Sequence, residues 1–300
     1  MRTLTYNRYA NETILKFIEQ FTFYDAGVRR NKGIEPLHQM RVTSRRLRNA
    51  FWVFKGLFPP KILKESKSKI RSLGRLLGQA RDLDVKIGFL KKLPAVAKKP
   101  SLKSGIKKII ILLQKERARL QPRVIKTLAD LHKKGTFKKT EQMLTTAGQG
   151  RLGSQKLYKT AEKKIFKRLK KLLTYESYVR KPKHIDELHQ MRIAAKHLRY
   201  TLESFEPLFG LKMGVFIRRV MTIQGYLGEV HDFDAWKSSL DHLGSPGKSE
   251  QDLKEAVEFF SRRCESLKGQ GYRKFVRAWT KARQQKTFEQ LIQFIQHKND

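Results

Sequence analysis

The strongest constraint on how this chain can fold is that it states one pattern twice. Ile34 to Arg41 reads IEPLHQMR, and 151 residues later Ile185 to Arg192 reads IDELHQMR, with five consecutive identities. A second pair keeps nearly the same offset: LGQARDLD at Leu77 to Asp84 and LGEVHDFD at Leu227 to Asp234. Two separate phrases holding one register across half of 300 residues mark a tandem duplication. Any site built from these phrases therefore exists in two related copies.

Apolar residues recur at helical spacing almost throughout. Ile14, Leu15, Ile18 and Phe21 give the segment 11–23 one buried face. Comparable segments run over 35–56, 61–92, 102–132, 153–179, 184–206, 211–242, 250–268 and 272–296. Between them stand breakers: Phe58-Pro59-Pro60, Pro94, Pro100, Gly148 to Gly153, Pro207 to Gly210 and Gly244 to Gly247. No stretch alternates with a period of two between hairpin turns, so the expected fold class is all-α. The midpoint stretch Thr145 to Gly153 lacks apolar periodicity and is the expected seam. It divides a first helical-bundle repeat, 1–148, from a second, 153–300. Each half supplies about four helices, enough for an antiparallel four-helix bundle. A short seam favours close packing of the two bundles about a pseudo-twofold axis.

Charge bounds the partner. The chain carries 66 Lys plus Arg against 27 Asp plus Glu, a net +39. Such an excess opposes folding by self-repulsion unless something anionic offsets it. Nucleic acid, an anionic membrane face and an inorganic polyanion qualify; a small acidic substrate would not need so much charge. The single cysteine, Cys264, excludes an intrachain disulfide and a thiolate metal cluster. The first residues lack the unbroken apolar stretch of a secretion signal. The longest aliphatic run, Ile109 to Leu113, is too short to cross a bilayer. The expectation is a soluble, cytoplasmic protein with no membrane span.

On a helical wheel the first phrase separates into two faces. With His38 at zero, Arg45 lies near −20°, Arg41 near −60° and Arg48 near −80°, at roughly 100° per residue. Met40, Leu47, Phe51 and Phe54 fall on the reverse. The second copy repeats the division, with His189, Arg192, Lys196 and Arg199 against Met191, Leu198, Leu202 and Phe205. Amphipathicity asks only for a polar outer face. It does not ask for His, Arg, Arg or Lys, and Arg at four matched positions. Arginine presents a planar fork of donors that matches phosphate oxygens, and lysine adds a point charge. His38 and His189 fall near helix starts, where backbone N–H groups also favour negative charge. A phosphate there would raise either imidazole's pKa and make it a cation with two donors.

The second phrase sets Gly78 and Gly228, read as tight helix contacts or kinks, before Asp82/Asp84 and Asp232/Asp234. Those acids have three readings: metal ligands, a general base, or partners that hold arginines in place. Asp at i and i+2 do not face one direction on a helix, which leaves a thin metal site. The favoured expectation is structural ion pairing by Arg81, Asp82, Asp84, Asp232 and Asp234. Further cations extend the basic surface on charge alone: Lys69 and its counterpart Arg219 beside Arg218, then Arg123, Lys126, Arg273, Lys274 and Arg277.

At these motifs the chain resembles the CHAD family, named for a histidine in an α-helical domain. That family carries a His-x-x-Arg-Val/Ile-x-x-Arg/Lys-Arg-Leu-Arg phrase. Here it reads His38-Gln-Met-Arg41-Val-Thr-Ser-Arg45-Arg46-Leu-Arg48, and again His189-Gln-Met-Arg192-Ile-Ala-Ala-Lys196-His197-Leu-Arg199. The family's Leu-Gly-x-x-Arg-Asp-x-Asp phrase is matched at Leu77 to Asp84, while His231 replaces its Arg in the second half. The resemblance covers roughly residues 5 to 295. It implies two four-helix bundles related by pseudo-twofold symmetry, and a basic channel or cleft binding inorganic polyphosphate. It implies polyphosphate-binding roles for His38, Arg41, Arg45, Arg46, Arg48, His189, Arg192, Lys196 and Arg199. It also implies association with polyphosphate granules. Many members are fused to a triphosphate-tunnel domain, whose Glu-x-Glu-x-Lys phrase does not occur in this sequence. Any polyphosphate-metabolising enzyme would then be a separate partner.

Two other readings stay open. A nucleic-acid-binding protein would share the electrostatic footprint, but zinc-finger spacing, an RNP phrase and a helix-turn-helix are lacking. Non-specific nucleic-acid binding at low salt is expected of so basic a chain. A phosphoryl-transfer enzyme using the repeated histidines would need a positioned nucleophile and often Mg²⁺. Neither a Walker phrase nor an Arg-His-Gly phrase is present. The expectation is therefore no catalytic residue, no metal and no cofactor. The ligand is inorganic polyphosphate or another phosphate- or sulfate-type polyanion.

Overall fold

The computed structural model describes residues 5–147, 153–241 and 251–297. Among them every regular element is helical. In chain order they are α1 (Tyr6–Phe23), α2 (Asp25–Arg29), α3 (Glu35–Val53), α4 (Pro60–Leu90), α5 (Pro100–Lys133) and α6 (Thr136–Ala147). The second half supplies α7 (Ser154–Leu173), α8 (Ile185–Phe209), α9 (Leu211–Asp241), α10 (Gln251–Gln284) and α11 (Thr287–Gln296). The order α3 to α6 parallels α8 to α11. The His/Arg phrases lie on α3 and α8, and the Gly/Asp phrases on α4 and α9.

Local chemistry explains several boundaries. Pro60 and Pro100 open α4 and α5 at the first helical turn, where the missing N–H would have had no partner. Gly210, at φ 73°, ends α8 in the left-handed region that glycine enters without a Cβ penalty. Three expectations need correction. Pro207 does not end α8, which runs on to Phe209. A separate helix, α6, follows Gly135, itself at φ 57°. The expected break between 268 and 272 is absent, because α10 is one helix of 34 residues. There Gly271 serves packing: a Cβ would stand 3.2 Å from Glu229 Cβ on α9. The chain breaks instead at Lys286, at φ 48°. Of the expected seam, Thr145 to Ala147 close α6. The rest up to Leu152, and the breaker Gly244 to Gly247, lie outside the described residues.

The halves share one continuous core. α3 packs on α8 and α5 on α10. At the first contact the Tyr9 hydroxyl donates to the Ser204 carbonyl at 2.9 Å, and the Phe54 and Phe205 rings meet edge-on at 5.9 Å. Beside them Asn49 Nδ2 donates to Ser204 Oγ at 3.2 Å, and the Thr201 hydroxyl donates to Asn49 Oδ1 at 3.2 Å. At the second contact Gly105 lets two backbones touch. A Cβ there would lie 2.0 Å from the Asp252 carbonyl oxygen and 2.7 Å from Ala256 Cβ. Among the described residues no helix is long and apolar enough to cross a membrane.

Candidate functional site

Because α3 and α8 bury their apolar faces, their basic faces turn outward together. Met40, Leu47, Phe51 and Phe54, with Met191, Leu198, Leu202 and Phe205, are all buried. A cavity of about 580 Å³ opens between α3, α4, α7 and α8. Its cations are Arg45 and Arg48 from α3, Lys64, Lys67 and Arg71 from α4, Arg168 from α7 and Lys196 from α8. Asn49, Trp52, Ser68, His197 and Tyr200 complete the lining, which contains no carboxylate.

The field inside is uncompensated. Burial, then the charges of Arg45, Arg192, Arg41 and Arg48, push the Lys196 amine down from 10.5 to about 7. Burial and Lys55, Lys167, Lys163 and Arg168 bring Lys164 down to about 8. His197, half-buried and facing Arg168, Lys196 and Arg48, falls to about 4. Lys67 and Arg48 shift downward for the same reasons, burial first and neighbouring cations second. Trp52 holds two of the cations over its ring, the Arg168 guanidinium carbon at 3.7 Å and Lys164 Nζ at 4.4 Å from the centroid. A cavity that depresses Lys67 and Lys196 is one that an anion would stabilise.

Arg41 and Arg192 stand next to this cavity, each tethered. Arg41 Nη2 lies 3.6 Å from Asp82 Oδ1, and Arg192 Nη2 lies 3.4 Å from Asp232 Oδ1. Burial, then Arg45, bring the Arg41 guanidinium down to about 10. The two repeated phrases meet here. A Cβ on Gly78 would be 3.7 Å from Arg41 Nε, and one on Gly228 would be 3.8 Å from Arg192 Nε. These are ordinary contacts, so the glycines are not the tight helix crossings expected of them.

The paired acids divide their work between helices. Asp82 and Asp232 face α3 and α8, whereas Asp84 binds Arg117 of α5 at 2.9 Å and Asp234 binds Lys268 of α10 at 2.6 Å. Arg81, expected in an ion pair, has no carboxylate partner among the described residues. It stands near His38 and, after burial, is the next cause holding that imidazole below its ordinary value. His189 is lowered likewise by burial, then by His231, whose ring stacks on it at 4.4 Å between centroids. His231 Nδ1 in turn lies 3.0 Å from Asp232 Oδ1. In the protein alone, His38 and His189 are thus neutral at neutral pH, and each Nδ1 is buried without a hydrogen-bond partner. A bound anion would favour the two-donor imidazolium expected of them.

Of the nine stripe residues, Arg45, Arg48 and Lys196 line the cavity. Arg46 and Arg199 instead share the carboxylate of Glu203, at 2.8 and 3.2 Å. The outlying cations scatter. Lys69 pairs with Glu65, Arg219 Nη1 donates to Thr287 Oγ1 at 2.9 Å, and Lys274 lies 4.0 Å from Glu229. Arg218, Arg273 and Arg277 are exposed. Arg123 and Lys126 line a second cavity with Arg75. No group of three or more metal-ligating side chains occurs among the described residues.

Lys64, Lys67, Arg71, Arg168 and Trp52 escaped the sequence reading for a physical reason. Lys64, Lys67 and Arg71 share one helix face by their spacing of three and four. Their counterparts in the repeat register are Gly214, Ile217 and Met221, so a search for duplicated residues passes over them. Arg168 sits on a helix dense in lysine, where sequence does not distinguish the inward side chain.

Fold and site together define an all-helical protein with a cation-lined cavity where its two halves meet. The sequence pattern of the CHAD domain matches residues 12–241, and the chain belongs to that family. Among solved structures it is similar to the CHAD domain from the plant Ricinus communis, with 23% identity and a TM-score of 0.71 over 89% of this chain and 88% of that one. It is also similar in fold to PptA from Streptomyces chartreusis, with 12% identity and a TM-score of 0.58 over 91% and 96% of the respective chains. No curated protein sequence matches it.

Proposed function

We propose that this protein binds inorganic polyphosphate, or a closely related phosphate- or sulfate-type polyanion, in the cavity between α3, α4, α7 and α8. The carrying observation is the convergence of seven cations from both halves on one lining without a carboxylate. Arg45, Arg48, Arg71 and Arg168 present guanidinium forks to successive phosphates, and Lys64, Lys67 and Lys196 supply point charge. Arg41 and Arg192, with His38 and His189, extend the basic ridge beyond the cavity. In this reading the halves are copies of one four-helix bundle related by a pseudo-twofold axis, which the parallel order of α3 to α6 and α8 to α11 supports.

The role is binding rather than catalysis, with no cofactor. The proposal puts the protein in the cytoplasm at polyphosphate granules, where a separate enzyme would act on the polymer. Nucleic acid is the weaker ligand. Single strands bind through open aromatic platforms, whereas Trp52 is capped by Arg168 and Lys164 and Tyr200 is buried.

The test is equilibrium binding of long-chain polyphosphate to wild type and to a variant carrying Arg45→Ala, Arg48→Ala, Arg71→Ala and Lys196→Ala. A loss of about a hundredfold or more, with helicity retained, is expected from removing several phosphate contacts. Unchanged affinity would remove the cavity from consideration. Long-chain polyphosphate should displace single-stranded DNA at matched phosphate concentration, and should stay intact on incubation with or without Mg²⁺. Preference for DNA, or release of phosphate, would replace the proposal with the corresponding alternative.

A further inference from the structure

The second cavity, of about 550 Å³, lies further along α4 on an adjacent face. Arg75 from α4 with Arg123 and Lys126 from α5 supply its charge, and Ser72, Gln79 and Thr127 add neutral donors. No carboxylate lines it, and none of its three cations has an ion-pair partner among the described residues.

Its position relative to the first cavity follows from helix geometry. Lys64, Lys67, Ser68 and Arg71 face the first cavity, while Ser72, Arg75, Leu76 and Gln79 face the second. The centres of these two sets are about 12 Å apart along α4 and turned by roughly 80°. Arg71 and Arg75 are one turn apart at the boundary. Lys64, Lys67, Arg71 and Arg75 therefore form an unbroken cationic rail that leaves one cavity and enters the other.

The second half has no such rail. The positions matching Lys64, Lys67, Arg71 and Arg75 hold Gly214, Ile217, Met221 and Gly225. Gln79 is matched by Glu229, which lies 4.0 Å from Lys274, and Lys126 by Val276. Trp52, which orders Arg168 and Lys164 at the first cavity, is matched by Glu203, which pairs with Arg46 and Arg199. The cationic face of α4 thus has no counterpart on α9, although Arg273, which matches Arg123, keeps its charge.

Resting on the polyphosphate reading, we infer that the α4/α5 cavity is a second phosphate subsite. One polyphosphate chain leaves the first cavity along the α4 rail and continues there, making the site one-sided and selective for longer chains. A chain too short to pass Arg71 meets only the first subsite. Each phosphate held beyond it releases further counterions and strengthens binding.

The experiment compares tripolyphosphate with long-chain polyphosphate on wild type and two triple variants. The first variant is Arg75→Gln, Arg123→Gln, Lys126→Gln. The second removes the same charge from the second half, as Arg273→Gln, Lys274→Gln, Arg277→Gln. All six residues are exposed, and melting curves check that both variants fold. The first variant should lose about tenfold or more in long-chain affinity, with the slope of log Kd against log salt reduced by roughly two. Its tripolyphosphate affinity, and both affinities of the second variant, should change by less than about threefold. Equal losses in the two variants, or an equal loss for short and long chains, would overturn the subsite and leave net charge as the cause. Failure of wild type to bind either polymer would instead remove the underlying reading.

Discussion

Lys196 offers a test in which stability and binding should move in opposite directions. Its amine is held at about 7 rather than 10.5, chiefly by burial and then by Arg45, Arg192, Arg41 and Arg48. At about 1.4 kcal/mol per pH unit, that displacement separates the charged and neutral forms by roughly 5 kcal/mol. Water in the open cavity screens part of this, leaving about 2–3 kcal/mol as the destabilisation that ligand-free wild type carries near pH 7. Lys196→Met keeps the aliphatic stem and deletes the charge. The variant should melt higher than wild type by about 4 °C or more at low salt, since each kcal/mol moves a chain of this size by roughly 2 °C. It should also bind polyphosphate more weakly. The gap in melting temperature should close with pH. Between pH 7 and 10.5 the unfolded wild-type chain still holds the Lys196 proton that the folded chain has lost, so wild type gains stability as pH rises through that window. Scanning calorimetry at pH 7 and pH 9.5, with titration calorimetry at pH 7, reads all three. A variant that melts at or below wild type while binding equally well would refute the reasoning.

Polyphosphate binding should take up protons, because a bound anion raises the Lys196 pKa from about 7. Affinity should then fall by up to about tenfold per unit above pH 7, and pH-independent affinity between 7 and 9 would contradict this. Gly105→Ala would force a Cβ to 2.0 Å from the Asp252 carbonyl oxygen and should cost about 3 kcal/mol in urea unfolding. Gly78→Ala, meeting only Arg41 Nε at 3.7 Å, should stabilise α4 by about 0.5–1 kcal/mol, and the reverse ranking would be wrong for this packing. Glu203→Gln leaves Arg46 and Arg199 without their shared carboxylate and should cost about 3 kcal/mol; an unchanged urea midpoint would make that pair idle.

Much of the fold was legible because helical periodicity is a local property. The buried faces of α3 and α8 follow from the spacing of Met40, Leu47, Phe51 and Phe54 and of their counterparts. The errors arose where tertiary packing overrides a local signal. The gap expected between 268 and 272 lies inside α10, where Gly271 is a contact point for α9, and Pro207 sits within α8 rather than after it. The duplication directed attention to Arg45 and Lys196, which do meet, and equally to Arg46 and Arg199, which Glu203 ties down. A carboxylate four residues from Arg199 was visible in the sequence; that it also reaches across to Arg46 on another helix was not.

The sequence alone determined an all-helical chain, a doubled His/Arg stripe and an excess of positive charge, since each is encoded by residues close together along the chain. Which cations stand open was decided only by the tertiary structure. Packing α3 against α8 and setting α4 and α7 beside them brings together Arg45, Lys67, Arg71, Arg168 and Lys196 from distant segments. Whether a charge is paired depends on what lies within a few ångströms of it, and that distance is a property of the assembled helices rather than of any one segment.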